Sequence, residues 1–123
     1  TDVSIIASSK MVVDALRAAE ELAKEGVSAE VIDLRTLRPL DRETIRASIA
    51  RTHHAVVVNE GWRFCGYAAE LSATIMECCF DELDAPVERV ATHDIPIPYS
   101  EPLESTVLPD AAKIAAAARR ALA

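Results

Sequence analysis

The residues best placed to do chemistry stand where a strand must end. Residues 55–58 (AVVV) form a short apolar, β-branched run of the kind buried on both faces of a parallel sheet, and the run stops at Asn59-Glu60, followed by Gly61 and Trp62. A carboxylate and a glycine at the carboxyl end of a central strand occupy the position where open α/β sheets hold their working residues. Two readings of Glu60 stand side by side: a carboxylate presented to a subunit or cofactor interface, or a cap for the amides that open the next segment. Trp62 reads as an interface or core anchor, because large aromatics dominate contact energetics. The acidic run Asp81, Glu82, Asp84 is either a solvated helix end or a docking patch for arginines.

Other chemistries fit less well. The three cysteines, Cys65, Cys78 and Cys79, form no CxxC, and His53, His54 and His93 do not fall at zinc-finger spacing from them. They read as structural thiols in a reducing compartment. A Cys65 nucleophile with His53 or His54 as base would need a pairing in space that nothing in the spacing provides. There is no GxSxG elbow. With only Gly26, Gly61 and Gly66, the chain has no GxGxxG or Walker-type loop to let backbone approach a pyrophosphate. Asp33 lies inside an apolar run and Glu60 stands alone, which argues against a phospho-acceptor cluster.

At 123 residues, half of them hydrophobic, the chain is expected to be one domain with a real core, residues 1–123. A net charge of −7 without a basic stripe argues against a nucleic-acid partner. The apolar stretches are too short to span a bilayer, and the start TDVSIIASSK lacks the regions of a signal peptide. A soluble, intracellular protein with no membrane partner is the expectation.

The elements that must position these residues follow from periodicity. Residues 3–7 read as a strand, Ser8-Ser9 as turn and helix cap, and the next helix buries Val12, Leu16, Ala19 and Ala23 before Gly26 stops it. Residues 29–34 form a second strand and 35–40 an irregular connection. Asp41 caps a helix to about Thr52, with Leu40 and Ile45 as a hydrophobic staple and Ile45 and Ile49 buried. After the central strand, Gly66 opens a helix with Tyr67, Leu71, Ile75 and Cys78 or Cys79 on its apolar stripe, ending before Pro86. Residues 87–91 form the fourth strand. The stretch 93–109, with four of the six prolines, reads as an extended connection, and Pro109 opens a last helix that buries Ile114, Ala118 and Leu122. This alternation predicts an α/β fold: a three-layer α/β/α, doubly wound, mainly parallel sheet in the order 2-1-3-4. The crevice at its switch point would be lined by Ser8, Ser9, Glu60, Gly61 and Trp62.

The motifs AEVIDLRTLRPLD, VVVNEGW, LDAPVERV, HDIPIPYS and LPDAAKI run in one register from about Asp2 to Ala123. Together they resemble the carboxyl-terminal, transketolase C-terminal-like domain of the β subunit of thiamine-diphosphate-dependent 2-oxo-acid dehydrogenases. The resemblance implies a further antiparallel edge strand from upstream residues. It also implies an upstream cofactor-pyrimidine domain, with thiamine diphosphate and magnesium bound in the full enzyme and none by this domain alone, so the chain would be a non-catalytic fragment. The partners implied are the α subunit and a second β subunit in an α2β2 assembly, and the peripheral subunit-binding domain of the acyltransferase core. That domain would meet an acidic surface in which Asp84, with Asp81 and Glu82 beside it, matches the LDAP aspartate and Ala123 carries the terminal carboxylate. A bacterial cytoplasm or the mitochondrial matrix follows as the compartment. Family members commonly have two glycines where Cys65-Gly66 stands and a glycine where Ala68 stands. A transketolase or deoxyxylulose-phosphate synthase domain, and a free-standing module binding a small ligand in the crevice, are the rival readings.

Overall fold

The computed structural model describes residues 2–123. Four strands, β1 (Val3–Ala7), β2 (Ala29–Asp33), β3 (Ala55–Trp62) and β4 (Glu88–Thr92), alternate with the helices α1 (Met11–Lys24), α2 (Arg42–Thr52) and α3 (Tyr67–Cys79). A short 3-10 turn, Phe80–Glu82, follows α3, and β4 is followed by α4 (Glu101–Val107) and α5 (Ala111–Leu122). The sheet order is β2-β1-β3-β4 with every pairing parallel, as the alternation predicted.

The pleat divides the core in two. Val3, Ile5, Val56 and Val58 face α1 and α5, where Leu22 and Ile114 cover them. Ile6 and Val57 face α2 and α3, where Ile45, Ile49, Leu71 and Ile75 close the other side. Each fully buried aliphatic side chain contributes about 1.5–3 kcal/mol, so the two central strands hold both layers.

Several local expectations hold and several do not. Asp41 caps α2 as predicted: its Oδ1 accepts the Thr44 amide at 3.0 Å and its Oδ2 the Thr44 hydroxyl at 2.7 Å. Ser8 and Ser9 do not cap α1, which starts from Lys10 with no side-chain cap; Ser9 instead turns the chain with φ 55°. The buried face of α1 is Met11, Ala15, Ala18 and Leu22, whereas Leu16 and Ala23 are exposed. Two apolar stripes lie side by side on this helix. The one with alanines wins because α1 packs on α5, whose own contact face is Ala115, Ala117, Ala118 and Ala121.

The stretch 93–109 contains a regular element after all. Pro102 falls within the first turn of α4, where a missing amide hydrogen costs nothing. The Lys113 ammonium then donates to the carbonyls of Ser105, Thr106 and Leu108 at 2.9, 3.0 and 2.5 Å, satisfying the carboxyl end of α4 from α5. The cap of α5 is Asp110, whose Oδ1 accepts the Lys113 amide at 2.8 Å, so the helix starts after Pro109 rather than on it, and Leu122 is only half-buried.

One polar chain crosses the α2 side. Ser4 Oγ lies 2.6 Å from Ser48 Oγ and 2.7 Å from Thr52 Oγ1, Ser48 donates to Glu30 Oε2 at 2.7 Å, and Arg51 Nη2 donates to both Glu30 oxygens at 2.7 and 2.8 Å. A carboxylate only accepts, so the hydroxyl protons run one way, from Thr52 through Ser4 and Ser48 to Glu30. The Ser48 hydroxyl and then Arg51 hold the Glu30 carboxyl below its ordinary range. A depressed folded-state value means that the stabilisation is complete above the ordinary carboxylate range and is lost as pH falls through the folded-state value. Glu30→Gln should therefore cost about 1 kcal/mol at pH 7, discounted for partial exposure. The difference from the parent should shrink toward zero in urea unfolding at pH 3, and an equal cost at both pH values would contradict it.

Candidate partner-binding surfaces

At the carboxyl edge, β3 does not stop at Val58. It runs on through Asn59, Glu60 and Gly61 to Trp62, with a register shift against β4 between Asn59 and Trp62. Backbone and short side chains fix this turn. Thr92 Oγ1 donates to the Glu60 carbonyl at 2.5 Å, the Arg63 amide to the Thr92 carbonyl at 3.0 Å, and the Phe64 amide to Asp94 Oδ1 at 2.9 Å. Asn59 Oδ1 accepts the Gly61 amide at 3.1 Å. The amide-capping role considered for Glu60 thus belongs to Asn59 and Asp94, whose short polar side chains beside a glycine and a proline-rich stretch were the available signal. Glu60 itself is exposed and its carboxylate has no side-chain partner among the described residues.

The predicted crevice separates into two places. Ser8 and Ser9 line a cleft of about 370 Å³ with Asp33, Leu34, Arg35 and Leu37, not with Glu60, Gly61 and Trp62. The reason is the extension of β3. It pairs with β1 only through residues 55–57 and is then bound to β4, which draws its end away from Ser8. Asp33, the last residue of β2, is held by Arg35 Nε at 2.9 Å. Around the turn, Trp62 and Phe64 are 56% and 76% exposed, and Ile95, Ile97 and Tyr99 on the following loop are exposed as well. Five large apolar residues on this turn and on the loop that the Phe64–Asp94 bond ties to it are thus exposed.

The acidic run lies at the opposite, amino edge. Glu82 is half-buried with Oε1 3.5 Å from Arg46 Nη2, so it serves the fold. Asp81 and Asp84 are exposed and have no side-chain partner among the described residues. The backbone that carries them is pinned. The Asp84 amide donates to the His53 carbonyl at 3.0 Å, and His53 Nδ1, 2.7 Å from the Glu82 carbonyl, must carry its proton there. Asp81 and Asp84 border a groove of about 470 Å³ whose other walls are Met76, Phe80, Leu83, Ala85 and Pro86. Phe80 is 66% exposed. Ala123 is exposed at the end of α5, and Arg120 Nη2, 2.8 Å from Glu88 Oε2, fixes that end against the start of β4, on the same edge as Asp84.

The nucleophilic pairing fails on geometry. His53 and His54 precede β3 and Cys65 follows it, so an eight-residue strand of roughly 26 Å separates them. Among the described residues no three His, Cys, Asp or Glu side chains group to hold a metal ion, and no helix is long and apolar enough to cross a membrane.

A four-stranded parallel sheet in this order, with helices on both faces, defines a doubly wound α/β domain. The family model for the transketolase C-terminal domain matches residues 1–114, and the chain belongs to that family. It is 52% identical over 120 residues, 98% of the chain, to the mitochondrial pyruvate dehydrogenase E1 component subunit beta-1 of Arabidopsis thaliana. It is 50% identical over 119 residues, 97% of the chain, to the corresponding mitochondrial beta subunit of Dictyostelium discoideum. The chain spans about a third of the length of these relatives, 33% in both cases. Among solved structures it resembles a split-gene transketolase described as an inactive beta4 tetramer, with a TM-score of 0.80 and 32% identity over 98% of this chain and 38% of that one.

The departure at Cys65-Gly66 has a structural meaning. Cys65 takes φ 54°, the left-handed conformation that favours glycine, the residue the resemblance leads one to expect there. Gly66 is required: an added Cβ would fall on the Trp62 carbonyl oxygen. Cys65→Gly should raise stability by about 0.5–1 kcal/mol, because relief of a left-handed residue outweighs the entropy of a more flexible unfolded chain. Gly66→Ala should lower it by about 2 kcal/mol or more. Urea midpoints that move the other way would refute the turn geometry.

Proposed function

We propose that this chain is the assembly and docking domain of the β subunit of a thiamine-diphosphate-dependent 2-oxo-acid dehydrogenase of the pyruvate dehydrogenase kind. The observation that carries this is an identity of about half along nearly the whole chain to subunits named as pyruvate dehydrogenase E1 beta. The full enzyme would decarboxylate a 2-oxo acid oxidatively and pass the acyl group to lipoyl groups. Thiamine diphosphate and magnesium would be held elsewhere in that enzyme, a reading supported by the lack of a converging acidic set among the described residues and of a glycine-rich loop in the sequence.

What this chain contributes is contact. On the amino edge, Asp81 and Asp84 would accept charge-assisted hydrogen bonds from arginines of the peripheral subunit-binding domain of the acyltransferase, with Phe80 beside them and Ala123 on the same edge. Glu82 stays on Arg46 and supports the turn. On the carboxyl edge, Trp62 with Glu60 and Gly61, and the separate cleft at Ser8 and Ser9, would meet the α subunit and the second β subunit. The compartment would be the mitochondrial matrix, as in the names of the relatives, or a bacterial cytoplasm. A second reading, a subunit of a split transketolase, draws support from the likeness to the split-gene transketolase structure.

The test is titration calorimetry of the assembled enzyme against the peripheral subunit-binding domain of its own acyltransferase, at low and high salt. The docking reading expects binding that weakens with salt and loses about 30-fold or more in Asp84→Ala, the scale of an interfacial charge pair losing one partner. Salt-insensitive binding untouched by Asp84→Ala would move the contact off the acidic edge. Absence of binding would favour the transketolase reading.

A further inference from the structure

Cys78 and Cys79 end α3 with their sulfurs 3.2 Å apart. Cys79 is fully buried among Ile45, Ile49, Leu71 and Ile75, while Cys78 is half-buried and offers the way in. We propose that these two thiols form a binding site for one trivalent organoarsenical, bridged across both sulfurs.

The separation selects among thiophilic partners. Two sulfurs each about 2.3 Å from a central atom and 3.2 Å apart subtend about 90°, whereas the tetrahedral angle of zinc would need them about 3.8 Å apart. Trivalent arsenic is pyramidal with angles close to a right angle. Charge points the same way. Burial, and then the neighbouring Cys78 sulfur, push the Cys79 thiol up to about 12, so a divalent metal, which needs two thiolates, would have to create charge inside the core. An arsenoxide does not ask for it. In R–As=O + 2 R′SH → R–As(SR′)2 + H2O two S–H bonds break, two As–S bonds form, the oxygen leaves as water and no oxidation state changes. The product is neutral and apolar, matching its surroundings. Because the second thiol is held in place, the chelate should bind about 100-fold tighter or more than a single cysteine. The adduct would sit one residue before Phe80, at the head of the turn bearing Asp81 and Asp84.

The test is phenylarsine oxide added to the chain, followed by intact mass, peptide mapping and competition with glutathione or a dithiol. The expected result is one arsenic per chain, mapped to the peptide holding Cys78 and Cys79, resistant to glutathione and removed by 2,3-dimercaptopropanol. Cys65→Ser should leave it unchanged, and Cys78→Ser, a change at the half-buried member that spares the core, should weaken it about 100-fold. No adduct, an adduct on Cys65, or glutathione-resistant binding retained in Cys78→Ser would overturn the assignment. Mapping on the parent chain decides the matter even if Cys78→Ser fails to fold.

Discussion

Burial of β1 and β3 on both faces is the constraint on which the rest of the molecule depends. Val3, Ile5, Ile6, Val56 and Val57 are fully inaccessible, so every backbone group of these strands must pair within the sheet and each face needs its own cover. A parallel arrangement answers both needs, because each crossover returns a helix to one face. It also decides where function can lie. With both faces sealed by helices, exposed chemistry is pushed to the two rims where strands begin and end, and the apolar turn after β3 and the acidic turn before β4 are those rims.

Both rims are shaped by backbone hydrogen bonds more than by long side chains, and that sets their character. The carboxyl-edge turn hangs on the carbonyls of Glu60 and Thr92 and on Asp94, which leaves Trp62 and Phe64 pointing outward from a fixed base. The amino-edge turn hangs on His53, whose carbonyl and ring hold residues 82 and 84 from the end of α2. Surface groups on such a base bind without first losing backbone freedom. Carboxylates divide accordingly. Glu25, Glu30, Glu82 and Glu88 face arginines of their own chain and serve the fold, while Asp81 and Asp84 have no side-chain partner among the described residues and sit on a pinned turn. Surface pairs of the first kind contribute little each, so their value here is in orientation.

The order of elements and of strands was legible because strong punctuation marks it: Gly26 after α1, Asp41 before α2 and Pro86 before β4 each state a local rule that tertiary packing did not override. The phase of α1 was not, since Val12 and Leu16 are as apolar as Met11 and Leu22, and only the alanine-lined face of α5 decides between the stripes. The short helix α4 was hidden behind Pro96 and Pro98. Its stability comes from Lys113, eight residues beyond Ser105, which no local pattern announces. The family membership was legible from the motifs. The crevice was not, because the apolar run 55–58 makes Glu60 look like the residue after a strand, as Ser8 is, whereas β3 continues through Glu60 to Trp62 alongside β4 and away from its pairing with β1.

The misplaced crevice bears on how such domains do their work. An open α/β sheet is expected to bind at its switch point because adjacent strand ends diverge there and leave a hollow. Here the hollow beside β1 remains, but its wall is Asp33 and Arg35, already paired with each other, and the end of β3 is spent on contact with β4. The residues that would have faced a ligand are turned outward as an apolar surface instead. With the end of β3 committed to β4, the position where such sheets usually hold a ligand carries exposed Trp62 and Phe64, the arrangement on which the proposed assembly role rests. It also explains why Cys65 tolerates its left-handed conformation: the turn that needs it is held on both sides, by Trp62 paired with Thr92 and by Gly66 packed on the Trp62 carbonyl, so the strain is carried by the sheet behind it.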